Sequence, residues 1–177
     1  MPKYQSNYVV PPLSRKEIRE FAESVRKMFG IYNNTYFPVT RVLEVLGLME
    51  INFEIIAEME WLRTYGGETQ AFYSLSEHTI KIRQSVYDCA NKDHGRDRFT
   101  IAHEIAHALL LNNHSIKVAK NRNVEDTPIW CNPEWQADCL AGELLVPYHL
   151  CKDMTIEEIM EKCKVSFKAA SYQKSKF

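Results

Sequence analysis

The sequence predicts an α+β fold in which a small antiparallel three-stranded sheet packs on a mostly helical domain containing one helix buried nearly all round. Three observations carry this reading. Apolar residues recur at helical spacing from Arg15 to Phe29, and three β-prone runs lie between Glu50 and Arg83, separated by turn residues. The segment from Phe99 to Leu111 is apolar on almost every face, yet it holds His103, Glu104 and His107. The chain has 177 residues, 45% of them hydrophobic, enough to bury one substantial core. One domain over 14–177 is therefore expected behind a tail over 1–13. It divides into N-terminal helices and sheet (14–94), the helices that carry His103 and Glu134 (95–147) and a C-terminal helical cap (148–177).

Taken in order, Ser14 is a good N-cap for a helix from Arg15 to Phe29, with Ile18, Phe21, Ala22, Val25 and Phe29 on one face and Gly30 to end it. Pro38 opens a second helix from Val39 to Leu46, closed by Gly47. The three strand-like runs are Glu50 to Glu58, Gln70 to Leu75 and Thr79 to Arg83, with Gly66, Gly67, Ser76 and Glu77 as turn material. The stretch 112–129 has no periodic pattern and reads equally as a candidate flap over a cleft or as a disordered loop. Pro133 suits the first turn of a helix that Pro147 stops. Further on, Thr155 and Glu158 form a capping box for a short helix, and Lys164-Val165-Ser166 leads into another.

The chemistry lies in His103-Glu104-Ile105-Ala106-His107. Four residues apart on a helix, the two imidazoles stand one turn apart on the same face, where both can ligate one zinc ion. Glu104 sits about 100° round the helix, placed to reach a water without taking a coordination position, the layout of a zinc hydrolase. Burying a carboxylate among apolar neighbours is costly, which favours a site over an accident of composition. A third ligand is required. Glu134 and Asp138 are one turn apart on the Pro133 helix, so Glu134 can close the triad while Asp138 accepts the free ring N–H of His103 and fixes its tautomer. Glu143 reads as a surface residue.

Arg98 to Leu110 together with Glu134 to Pro147 resembles the ImmA/IrrE family of bacterial zinc metallopeptidases. Its members show an R-F-T-x-A-H-E-x-x-H helix followed by an E-x-x-A-[ND]-x-x-A-x-x-L-L-x-P helix. The resemblance implies a zincin-like, gluzincin-type peptidase with Zn held by His103, His107 and Glu134, with Glu104 as catalytic base and Asp138 as a supporting polar residue. It further implies site-specific cleavage of a helix-turn-helix transcriptional repressor in a mobile-element, phage or stress-response circuit. In peptidases of this kind the edge strand beside the metal helix binds the substrate backbone as an added strand. Thr79, Ile80, Lys81, Ile82 and Arg83 are the candidates here, although Lys81 and Arg83 also suit an ordinary guarded edge. The residue that would stabilise the tetrahedral intermediate stays open among Tyr73, His94, Arg98, Tyr148 and His149.

A net charge of −1 gives no general pull toward nucleic acid or anionic membranes. The lysine-rich end faintly resembles a helix-turn-helix, but a solvated cap is the simpler reading and direct nucleic-acid binding is not expected. With no bilayer-length apolar run and no basic-apolar leader in residues 1–12, a cytoplasmic protein is expected. The five cysteines lack a C-x-x-C pair and read as reduced, with Cys131 and Cys139 flanking Glu134. The alternative function is a metal-bound regulatory module that binds a repressor without cutting it. The intact Glu104 argues against that alternative.

Overall fold

The computed structural model describes residues 8–112, 119–120 and 128–177. In chain order its elements are β1 (Tyr8–Val9), α1 (Arg15–Met28), α2 (Val39–Leu46), β2 (Asn52–Ile56), α3 (Glu58–Tyr65), β3 (Ala71–Ser74), β4 (Thr79–Arg83), α4 (Gln84–Ala90), α5 (Gly95–Leu111), β5 (Ala119–Lys120), α6 (Pro133–Leu145), α7 (Tyr148–Cys151), α8 (Ile156–Cys163) and α9 (Phe167–Lys174). The architecture is α+β. The candidate flap of 112–129 lies largely outside the described residues.

Local chemistry explains the helix ends. Ser14 and Glu17 make a full capping box at the start of α1, as Thr155 and Glu158 do at α8. Gly30 takes a left-handed φ of 69° just beyond α1, a conformation that costs a glycine nothing. At α6 the Asn132 side chain accepts from the N–H groups of Glu134 and Trp135, and Pro133 occupies the first turn.

The sheet is mixed, not antiparallel. Its order is β2-β4-β3: β3 pairs antiparallel with β4 as a hairpin, while β2 pairs parallel with β4. The cause is α3, which begins where the strand-like run from Glu50 to Glu58 ends, in a stretch for which the sequence suggested no element. This helix docks through Trp61, fully buried with its indole N–H donating to Thr69 O at 2.8 Å, and carries the chain across to the far edge of the sheet. The hairpin then returns β4 into the middle, where Ile80 and Ile82 are completely buried. Thr79–Arg83 is consequently the central strand, and the expectation that it forms the edge beside the metal helix is corrected. That edge belongs to β3.

Buried residues from α1, α2, β4, α4, α5, α6 and α8 form one core. Helix α5 is its axis: ten of its residues are buried, including Glu104 and His107. Helices α1 and α6 are locked by Glu143, 1% exposed, which accepts two hydrogen bonds from Arg19 at 3.0 and 3.1 Å and faces Arg15 at 3.6 Å. Its expected surface position is thus overturned, because α1 lies on that face of α6. Arg98, also fully buried, donates to Phe37 O (2.9 Å) and Lys164 O (3.1 Å) and so ties the start of α5 to the loop before α2 and to the C-terminal cap. Residues 10–13, part of the expected tail, are held by Val10 N–H to Cys131 O (3.0 Å) and Leu13 N–H to Trp130 O (3.1 Å). Among the described residues no helix is long and apolar enough to cross a membrane.

Candidate metal centre

Helices α5 and α6 pack side by side and bring three ligand atoms to one point. His103 Nε2 and His107 Nε2 are 3.0 Å apart, and each lies 3.3 Å from Glu134 Oε2. An ion bound tetrahedrally at about 2.0–2.1 Å holds its ligand atoms about 3.3 Å from one another. The spacing fits, and so does the donor chemistry. Asp138 Oδ1 lies 2.8 Å from His103 Nδ1, so the ring donates there and turns its Nε2 lone pair toward His107 and Glu134. Without an ion, a proton on the imidazole nitrogens must hold the cluster together by donating to Glu134 Oε2, so metal and proton compete for the same atoms.

The electrostatics respond to that crowding. Burial opposes charge on His103, but the Asp138 and Glu134 carboxylates, with Glu104 nearby, outweigh it and raise the ring from 6.5 to about 10 in the metal-free chain. Glu134 is held well below its ordinary 4.5 by hydrogen bonds from His103 and His107. Glu104 moves the other way. Burial pushes its carboxyl up from 4.5, partly offset by the two histidines. Its Oε2 accepts the backbone N–H of Tyr73 at 2.9 Å, so the edge strand holds the carboxylate in place.

These groups open into a cleft of about 620 Å³ whose walls include Tyr8, Phe72, Tyr73, Leu75 and Leu111. Hydrogen-bond parity orients β3 toward it. Arg83 N–H donates to Gln70 O (3.2 Å), and Tyr73 N–H points the opposite way, to Glu104. Alternate residues of an antiparallel strand point to opposite sides, so Ala71 and Tyr73 present their backbone groups to the cleft. Thr79, Ile80, Lys81, Ile82 and Arg83 sit one strand further in and line none of it.

Of the five residues left open for stabilising charge, only Tyr73 lines the cleft, and its hydroxyl lies 3.4 Å from His78 Nδ1. Arg98 is spent on structure. His149 stacks on Tyr32 and bonds Tyr32 O at 2.9 Å, Tyr148 lies under Arg19, and His94 stands at the N-cap position of α5 without a capping bond from its side chain. Cys139 is pushed up to about 12 by burial, which keeps its thiol protonated and unreactive. Two contributors escape sequence reasoning. Tyr8 belongs to a segment with no periodic signal, and the Tyr73 N–H is a backbone donor whose direction only strand pairing sets. The Asn132 cap goes beyond the Pro133 signal for the first turn, though an Asn directly before a Pro at the start of a helix is a signal that could have found it.

A family model described as the IrrE N-terminal-like domain, Peptidase M78, matches residues 63–175, from within α3 to the end of α9. No curated protein matches the chain.

Proposed function

The chain belongs to the Peptidase M78 family of metallopeptidases, and from that premise we propose that it is a zinc-dependent endopeptidase that makes a site-specific cut in a helix-turn-helix repressor. The observation that carries the catalytic part is the convergence of His103, His107 and Glu134 within 3.0–3.3 Å beside a buried Glu104. The repressor as substrate rests on the resemblance of the two motif helices.

In this reading His103, His107 and Glu134 hold the ion, and Asp138 keeps the His103 ring in the ligating tautomer. When bound, zinc supplies a Lewis acid that polarises the scissile carbonyl and acidifies a water. Glu104 takes a proton from the attacking water and passes it to the leaving amine. Its upward-shifted pKa suits it for both transfers, since a base closer to neutrality also makes a usable acid. The Tyr73 N–H keeps that carboxylate from rotating away. A substrate in extended conformation pairs with the outward groups of Ala71 and Tyr73, so β3 takes the role the sequence had offered to β4.

The test is incubation of the zinc-loaded protein and its Glu104→Gln variant with the helix-turn-helix repressor encoded nearest to it, read by intact mass spectrometry. One defined cut by the unmodified protein, slowed about 10²–10⁴-fold or more in the variant, supports the proposal. Equal binding by both without cleavage replaces it with a regulatory binding module.

A further inference from the structure

A second cluster of ligand-bearing side chains stands apart from the metal centre. Cys89, at the end of α4, His94, at the cap of α5, and Asp97, in the first turn of α5, place a sulfur, a ring nitrogen and a carboxylate oxygen within 4.8 Å of one another. We infer that these three residues form a second transition-metal site, taking a zinc-like divalent ion. The spacing Cys-x4-His-x2-Asp contains no C-x-x-C pair and so carries no conventional signature in the sequence.

The backbone builds the cluster. Cys89 C=O accepts N–H groups from both Lys92 (3.0 Å) and His94 (3.1 Å), and Asp93 adopts a left-handed φ of 60°, which folds the chain back over the end of α4. The side chains are not otherwise engaged. His94 Nδ1 and Asp97 Oδ2 are 3.9 Å apart, too far for a hydrogen bond, and the Cys89 thiol has no partner among the described residues. Tetrahedral ligands at about 2.0–2.3 Å lie roughly 3.3–3.6 Å apart, so binding asks only for small side-chain rotations. His94 is 57% exposed, which leaves an entry path and room for water as a fourth ligand.

Charge and softness select the ion. The start of α5 is the positive end of a helix dipole and disfavours a bare cation. A thiolate and a carboxylate together cancel a divalent charge. One sulfur, one imidazole and one carboxylate suit zinc or cobalt(II) rather than magnesium or calcium, which take oxygen. Nine residue steps along the helix separate His94 from His103, a rise of about 13 Å, so the two sites do not share an ion. A metal here staples the α4–α5 turn to the helix that carries His103 and His107.

Cobalt(II) titration of the reduced, metal-free protein tests the site, because His103, His107 and Glu134 include no sulfur, and a thiolate-to-cobalt charge-transfer band that Cys89→Ser removes comes from the second site. The expected result is two equivalents bound, one bringing that band. Cys89→Ser and His94→Ala should each abolish the band and one equivalent while leaving the other, which also reports that the variant is folded. The band should survive in the His103→Ala/His107→Ala double variant, separating this site from the fate of the peptidase reading. A single equivalent without the band, or a band that persists in Cys89→Ser, overturns the inference.

Discussion

Replacing Asp138 by alanine tests whether the carboxylate sets the His103 tautomer or serves the ion in some other way. The Asp138 Oδ1 to His103 Nδ1 distance is 2.8 Å, with 32% of the aspartate and 19% of the histidine side chain exposed. A hydrogen bond to a charged group contributes about 1.5–3 kcal/mol, and partial solvent screening places this one near the lower end. About 1.4 kcal/mol is tenfold in an equilibrium constant, so Asp138→Ala should weaken zinc binding about tenfold, within the 10–100-fold range seen for such supporting partners. Asp138→Asn keeps an acceptor for the ring N–H and loses only the charge, so its affinity should fall by a smaller factor. Competition against a chromophoric chelator at fixed pH measures both. Equal affinity for wild type and Asp138→Ala would refute the tautomer role. Complete loss of binding in Asp138→Ala, with the fold intact, would make Asp138 a ligand.

Ala71→Pro removes an outward N–H from the β3 edge without touching the β4 ladder, so KM for a peptide substrate should rise about tenfold with kcat nearly unchanged; an unaltered KM would place the substrate elsewhere. At Gly95 an added Cβ would stand 2.6 Å from Ser166 N and 2.8 Å from Val165 C, so Gly95→Ala should cost about 1–3 kcal/mol in chemical denaturation; unchanged stability would mean the C-terminal cap yields freely. In the metal-free chain His103, raised from 6.5 to about 10, adds stability that is complete below pH 6.5 and is lost as pH climbs through 10. Glu134, lowered from 4.5, adds stability present above pH 4.5 and lost as pH falls through its depressed value. Melting temperatures of chelator-treated protein should therefore fall from pH 6.5 toward 10, while those of zinc-loaded protein rise as His103 sheds its proton to bind. Parallel slopes would contradict this.

Much was determined by the sequence itself. The caps at Ser14, Asn132 and Thr155 are local hydrogen-bond choices, and the amphipathic period of α1 is a local pattern, so both can be read without a fold. The same holds for His103, Glu104 and His107, whose relative placement follows from helix geometry alone. Glu134 and Asp138 were legible as a pair one turn apart, but their approach to His103 required α5 and α6 to pack together. Tertiary structure alone decided the rest. Strand order depended on α3 crossing the sheet, since a short β-prone run looks the same at an edge or in the centre. Glu143 is buried because α1 lies over it, and the cleft wall combines Tyr8 with Tyr73 from opposite ends of the N-terminal half. Local interactions are encoded within a few residues, whereas the neighbours of a strand, the burial of a charge and the direction of a backbone N–H arise from contacts between segments far apart in the chain.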